Sequence, residues 1–333
     1  MKKVLVLGAT GAMGRFLVPE LTGLGYSVTG VGLDECAPWQ TDARYVKGDA
    51  FDKNFLASLL KEGYDGIVNF MDYGHAPFSD YMALFLRNTD HYIYLSSCRV
   101  YADKEQPVRE TSPRLLDVSD DEVLKGSHDY CIYKAQDEDV LRASSYDNWT
   151  VVRPATTFST MRLQLVTLEF KNTVERALMG KKVVLPIQAQ DIPATLSWGG
   201  DVARMIARIL FREEAKREFY NVCSAETRTW GEIAEYYHEL VGLEAVWVDK
   251  EDYLAILSPE GNPHTRWQLE YARLFRRITD NSKILALTGL KQADMTPLYD
   301  GLKREIANIP ADFVPQDNEV GLRMDAYLRT HNL

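Results

Sequence analysis

A glycine triplet constrains this chain more than any other feature. Gly8-Ala9-Thr10-Gly11-Ala12-Met13-Gly14 follows a continuous aliphatic run, Val4–Leu7, and leads into Met13–Leu24, whose apolar residues recur at helical spacing as far as Gly25. An unbroken aliphatic run suits a parallel strand buried on both faces, and a glycine at its end suits a helix stop. Between such a strand and such a helix each glycine has its own duty. Gly8 permits the tight turn, Gly11 lets backbone approach a pyrophosphate, and Gly14 lets the helix pack close to the sheet. The first turn of the helix then offers free N–H groups to the anion. Gly8, Thr10, Gly11, Ala12, Met13 and Gly14 are therefore expected to hold the pyrophosphate of a dinucleotide.

The first half keeps this rhythm. Val28–Leu33, Arg44–Val46, Gly66–Met71 and Tyr92–Leu95 read as further strands, with helical stretches between several of them. Such alternation predicts an α/β fold, a Rossmann-type doubly wound parallel sheet whose ligands sit at the carboxyl ends of the strands. Beyond Arg153-Pro154 the pattern changes. Leu163–Met179 reads as one long helix ended by Gly180, Asp201–Phe211 as another, Phe219–Val222 as a late strand, and Trp230–Val241 as a helix closed by Gly242, with turn signals around Pro259–Pro263. The expected organisation is a dinucleotide-binding domain over residues 1–160, with a return segment near 195–225, and a smaller, helix-rich substrate lobe over 161–333. A length of 333 residues accommodates both.

Composition narrows the partners. Hydrophobic residues at 46% and charged ones at 26% are ordinary for a globular enzyme with a packed core, and the partner expected is a small-molecule substrate. A net charge of -10 repels phosphate backbones and anionic membrane surfaces, which weighs against nucleic acid and membrane partners. The short basic cluster Arg273–Arg277 reads as a solvated helix face. Cys36, Cys98, Cys131 and Cys223 are far apart and suggest neither a disulfide framework nor a metal site. The apolar run after Met1-Lys2-Lys3 is too short for a signal peptide, and no stretch approaches the roughly 20 apolar residues of a membrane span. A cytoplasmic, reduced protein is expected. His91, His128 and His264 lack partners at metal-ligand spacing, so no metal is expected.

Several polar residues fall where chemistry would need them. Asp34, at the end of the second strand, is placed for the adenosine ribose hydroxyls of NAD, and no arginine follows closely to favour NADP, which is not excluded. Asp49 either reaches the adenine amino group or caps the segment after it. Tyr130 and Lys134 stand four apart and would project from one helix face. A phenol titrates near 10 in water and needs positive charge nearby to act as a base at neutral pH. Ser96-Ser97-Cys98-Arg99-Val100-Tyr101 follows the strand Tyr92–Leu95 directly, where the Ser97 hydroxyl can hold a substrate oxygen. The candidate catalytic set is Ser97, Tyr130 and Lys134. Arg99 either grips a substrate anion or makes a surface salt bridge, and Trp198, Arg266 and Trp267 are candidates for the lining of the second lobe's pocket.

With these motifs in this order the chain resembles the extended short-chain dehydrogenases/reductases of the NAD-dependent epimerase/dehydratase family. The resemblance is carried by Gly8, Gly11 and Gly14, by Ser96-Ser97 before Val100-Tyr101, and by Tyr130 with Lys134. It continues through Val151-Val152-Arg153-Pro154, Asp201-Val202-Ala203, Tyr220-Asn221-Val222, Thr229–Ile233 and Asp280–Lys283. It implies Tyr130 as general acid/base, Lys134 as the group that holds the nicotinamide ribose, and Ser97 as the hydrogen-bond partner of the reacting oxygen. The implied reaction moves hydride to or from a secondary alcohol carbon of a sugar or sugar-like substrate, and the implied assembly is a homodimer. Departures are visible too. Ala194 stands where nucleotide-sugar members carry an arginine, Thr156-Thr157 where they carry an asparagine, and Trp198 where a histidine is common. Met71-Asp72-Tyr73 replaces small residues, and Tyr133 a serine or threonine. Together these weigh against a nucleoside-diphosphate sugar. The alternative is a non-catalytic dinucleotide-binding regulator or RNA-associated protein of the same fold. Intact Ser97, Tyr130 and Lys134 favour the enzyme.

Overall fold

A computed structural model describes residues 1–74 and 78–333. Its centre is one sheet of seven parallel strands: β1 (Lys3–Leu7), β2 (Ser27–Gly32), β3 (Arg44–Lys47), β4 (Gly66–Asn69), β5 (His91–Leu95), β6 (Trp149–Arg153) and β7 (Glu218–Asn221). Their spatial order is β7-β6-β5-β4-β1-β2-β3. The register sets Val4 beside Val28 on one side and beside Gly66 on the other. The chain winds outward in both directions from β1, so the order reverses between β1 and β4. Ligands in open α/β sheets bind in the crevice outside such a switch point. The aliphatic runs of β1 and β6 are buried on both faces, as expected of strands covered by helices on each side. The Rossmann-type sheet is the fold the alternating pattern predicts, with strand ends displaced by a residue or two.

The seventh strand belongs to a segment that comes back from the C-terminal half. It is preceded by the helix Gly199–Ile209, which packs on the first helix, α1 (Gly14–Gly23). Gly199 lies against the Ala12 carbonyl so closely that a Cβ would collide with it. Val202, Ala203, Ile206 and Ile209 join Leu17, Val18 and Leu21 in one core beneath the sheet. A second core gathers Phe158, Leu163, Leu165, Trp230, Tyr237 and Leu302.

One expected element is absent. In Leu163–Met179 only Val174–Leu178 is α-helical. Leu163, Gln164, Leu165 and Val166 are all buried in succession, so this segment has no solvent face, and its apolar spacing reflected burial on every side. The chain instead makes two tight reversals. Leu165 and Leu168 exchange backbone hydrogen bonds at 3.0 Å, and Met161 and Val166 take positive φ, 60° and 54°. A β-branched residue seldom adopts that conformation. The Val166 carbonyl is held by the Arg273 guanidinium at 2.7 Å. Among the described residues no helix is long and apolar enough to cross a membrane.

Candidate active site

A cleft of about 570 Å³ opens at the carboxyl ends of the central strands. Its floor at one end is the glycine loop, and Gly8, Thr10, Gly11, Ala12, Met13 and Gly14 all line it. Gly8 has φ of +73°, open to glycine at no steric cost. A Cβ on Gly14 would stand 2.6 Å from Ala9 Cα, so only glycine lets α1 start this close to the strand end. A Cβ on Gly11 would meet only the Gly8 carbonyl oxygen, at 3.3 Å, which leaves its outer face open to the cleft. This cradle fits a pyrophosphate.

Asp34 lies just past β2, exposed, on the wall of the same cleft; its backbone carbonyl accepts from the Tyr45 hydroxyl at 2.7 Å. Asp49 stands outside the lining. Its carboxylate accepts the Phe51 N–H at 2.8 Å, and the cap of the next helix is Asp52, which accepts from Asn54 and Phe55. Asp49 therefore stabilises a turn and is not the cap of the helix after it.

The other end of the cleft holds the candidate catalytic residues. Ser97 follows β5 in an extended conformation and caps the short turn Cys98–Val100, accepting the Arg99 N–H at 3.1 Å. Among the described residues its own hydroxyl hydrogen has no acceptor. Tyr130 is the first residue of α2 (Tyr130–Ala143), whose N-cap is Asp129. Lys134 follows one turn later, 1% exposed. Its Nζ donates to the Leu95 carbonyl at 3.0 Å and lies 5.6 Å from the centre of the Tyr130 ring. Two segments distant in sequence, the turn after β5 and the start of α2, thus bring Ser97, Tyr130 and Lys134 to one wall.

What holds that wall was not singled out in the sequence. Glu138, fully buried on α2, accepts from the Ser96 hydroxyl at 2.6 Å and from Arg153 through both carboxylate oxygens, at 2.7 and 2.6 Å. Arg114 adds a fourth bond at 3.3 Å. A bidentate guanidinium–carboxylate pair fixes orientation as well as distance, and here it locks α2 to β5 and β6. A signal existed: Glu138 stands four residues beyond Lys134 and so shares its helix face.

Asp72, one of the departures from the family pattern, meets this group directly. It accepts from the Tyr133 hydroxyl at 2.6 Å and lies 3.6 Å from Lys134 Nζ. Burial first, and the Asp72 carboxylate second, push the Tyr133 phenol well above its ordinary range, so Tyr133 stays a donor. On the outer side Asp129 receives Arg99 and His264, each at 3.1 Å. Burial opposes ionisation of Asp129, but the Arg99 charge and the Cys131 N–H hold it below the usual carboxylate range.

Two expectations about the far wall are corrected. Arg273 and Arg277 are 9% and 6% exposed, and burial drives both guanidiniums below their ordinary value, Arg273 to about 10. They are buried cations rather than a solvated face, because the segment that carries them runs under the cleft. Trp198, Arg266 and Trp267 do not line the cleft. Trp198 packs on Phe16 and donates to Glu305; Arg266 pairs with Glu251 and Glu270; Trp267 is buried with Leu124 and Ile132. The lining is supplied instead by Arg99, Thr156, Arg162, Gln164, Gln268 and Arg273.

The family model described as the NAD dependent epimerase/dehydratase family matches residues 4–223, and the chain belongs to that family. Among curated proteins it is similar to the chloroplast stem-loop binding protein of 41 kDa b of Arabidopsis thaliana, 25% identical over 251 residues. That match covers 70% of this chain and 62% of the relative's length. Among solved structures it superposes on an epimerase of Methanothermobacter thermautotrophicus with TM-score 0.70 and 17% identity, covering 91% of this chain and 90% of the other. The UDP-glucose 4-epimerase of Thermus thermophilus, solved with NAD, gives TM-score 0.69 and 16% identity over 93% of this chain and 100% of the other. At such identities these structures show the shared fold.

Proposed function

We propose that the cleft oxidises a secondary alcohol of a small, polyhydroxylated substrate, with Ser97, Tyr130 and Lys134 as its working residues. The observation that carries this reading is their convergence: a free serine hydroxyl, a phenol and a buried ammonium share one wall, across from a glycine cradle fitted to a pyrophosphate. Bound NAD would supply the hydride acceptor. The cradle from Gly8 to Gly14 would hold its pyrophosphate, and Asp34 its adenosine ribose. Ser97 donates to the substrate oxygen and orients the carbinol. Tyr130 accepts the hydroxyl proton as the C–H bond is lost, with the Lys134 ammonium 5.6 Å from its ring centre. Lys134, held by the Leu95 carbonyl at 3.0 Å with Asp72 at 3.6 Å, would hold the nicotinamide ribose of bound NAD. A released ketone makes the protein a dehydrogenase, and re-reduction on the other face makes it an epimerase; chromatography of products from a C4-labelled hydride donor separates the two. Replacing Tyr130 by Phe tests the assignment. Turnover should collapse while NAD affinity, read by fluorescence titration, is kept, and undiminished turnover would sink it.

The name of the Arabidopsis relative supports a second reading, binding of stem-loop RNA. The acidic balance works against it, since each phosphate neutralised needs a Lys or Arg on the surface. The discriminating measurement is a gel-shift titration with a stem-loop RNA across a salt series. Tight, steeply salt-dependent binding favours RNA, and its absence leaves the enzyme. The reading also takes the protein as cytoplasmic, in keeping with its free cysteines, three of them buried.

A further inference from the structure

The proposed chemistry does not account for the wall of buried guanidiniums beside it. Arg273 ends a π-helical turn, Leu269–Arg273, that continues the helix Pro263–Gln268. The i→i+5 bonding of such a turn widens the helix, a distortion frequent at functional sites. Here it brings Gln268 and Arg273, five residues apart, to the same cleft wall. The Arg273 guanidinium meets only neutral acceptors among the described residues: the Val166 carbonyl at 2.7 Å, Thr156 Oγ1 at 3.2 Å and Gln164 Oε1 at 3.4 Å. Arg277 donates to the Tyr101 carbonyl at 2.9 Å, and its buried Nη1 has no partner among the described residues.

Arg99 approaches from the opposite side. Its Nη2 pairs with Asp129, its Nε is buried without a partner among the described residues, and its guanidinium lies 5.2 Å from the centre of the Tyr130 ring. Arg99, Arg273 and Arg277 all border one void of about 10 Å³ behind the cleft. A void of that size holds a water at most. An anion must therefore meet Arg99 and Arg273 from the cleft itself, which both line together with the exposed Arg162.

A buried charge is costly to maintain unless an opposite charge faces it. Arg99 is paired with Asp129, and Glu169, which lines the same cleft, is bonded by Gln164, while Arg273 and Arg277 form no ion pair among the described residues. The planar fork of arginine matches carboxylate and phosphate oxygens. We propose that Arg99 and Arg273 form an oxyanion subsite beside Tyr130, so that the substrate is a small polyol bearing its own carboxylate or phosphate close to the carbinol. This rests on the reading of the cleft as the NAD-dependent site. The competing role for Arg273 is structural, as the clasp of the Val166 turn.

The test uses the full chain saturated with NAD at low ionic strength, titrated calorimetrically with D-glucuronate, D-glucose 6-phosphate, inorganic phosphate and D-glucose. An anionic sugar should bind at least about tenfold more tightly than glucose, the scale of a charge-assisted hydrogen bond. Tighter binding of glucuronate assigns a carboxylate, and tighter binding of the sugar phosphate assigns a phosphate. Arg99→Gln and Arg273→Gln should each abolish the preference while NAD affinity is unchanged. If Arg273→Gln fails to fold, Arg99→Gln and the wild-type comparison still decide. Equal affinity of wild type for glucose and for both anionic sugars overturns the subsite. So does an Arg273→Gln protein that loses thermal stability but keeps the anion preference. NAD affinity is measured separately, and its absence would overturn the parent reading instead.

Discussion

At the cofactor end of the cleft the chain presents backbone: a loop in which Gly8, Gly11 and Gly14 clear space for a ligand to approach the main chain. At the substrate end it presents buried ionic side chains, with Arg99, Asp129, Glu138 and Arg273 drawn from segments far apart in sequence. The first kind of site depends on local sterics and is the same whatever the substrate. The second depends on charge balance in a poorly solvated wall, where removing one partner leaves another stranded. The two ends should therefore fail differently.

The largest expected effect is at the network behind the catalytic wall. Glu138→Ala strands Arg153, which is 1% exposed, and removes a bond from Arg114. Breaking a buried pair from one side destabilises by about 3–5 kcal/mol. Chemical denaturation should show that loss, and a midpoint equal to wild type would mean that water and the existing bond to Tyr101 suffice to satisfy the guanidinium. Next comes Tyr130→Phe, which removes a proton acceptor and leaves the packing. General acid/base groups contribute about 10²–10⁴-fold, so turnover should fall by that range with NAD affinity unchanged. If NAD affinity fell as well, the two ends would not be separable.

A third region, at the opposite edge of the sheet, provides a control. The His91 ring at the start of β5 is fully buried: Nδ1 accepts the Phe211 N–H and Nε2 faces Thr150 Oγ1, both at 2.8 Å. Thr150 donates onward to the Ala215 carbonyl at 2.5 Å, so the neutral ring is satisfied on both sides. Burial lowers His91 from 6.5 to about 4. The unfolded chain therefore binds the extra proton first, and stability present above pH 6.5 is lost progressively as pH falls toward 4. The shift corresponds to about 3 kcal/mol. His91→Gln should flatten the stability profile between pH 6.5 and 4 and leave the cleft's substrate affinity alone. An unchanged acid limb would assign that limb to other groups.

The same contrast explains what could be read from the sequence. The glycine loop is contiguous, and each glycine has a separate steric cause, so its place, its conformation and its ligand could all be argued from a single short run of residues. Ser97, Tyr130 and Lys134 were legible because each sits at a predictable point, a strand end or the start of a helix. Arg273 was not. A run of arginines among aromatics is ordinarily solvated, and nothing local says that a widened turn will bury it. Leu163–Val166 misled for a related reason: burial on all sides imitates the period of an amphipathic helix. Side chains whose surroundings are made by tertiary packing leave little trace in local spacing.

Gly14→Ala tests the cofactor end on its own terms. The new Cβ would press on Ala9 Cα at 2.6 Å, and α1 must retreat from the strand end to admit it. Overpacking of this kind costs about 1–3 kcal/mol. The retreat also moves the helix N–H groups away from the pyrophosphate, so the stabilisation that NAD adds in thermal melts should shrink.

The smallest effects compare two aspartates that the sequence treats alike. Asp34 lines the cleft and would accept ribose hydroxyls, whereas Asp49 lies outside the lining and already accepts the Phe51 N–H. Hydrogen bonds to an ionised acceptor are worth about 1.5–3 kcal/mol when shielded and less when exposed. Asp34→Ala should accordingly weaken NAD by about tenfold, at the lower end of that range. Asp49→Ala should cost about 1 kcal/mol of stability through the lost turn and leave NAD affinity within about twofold. Parallel fluorescence titrations of the two variants would read the difference. If Asp49→Ala weakened NAD as much as Asp34→Ala, the Phe51 turn would have to open when the adenosine binds, and the cofactor end would no longer be the rigid half of the comparison.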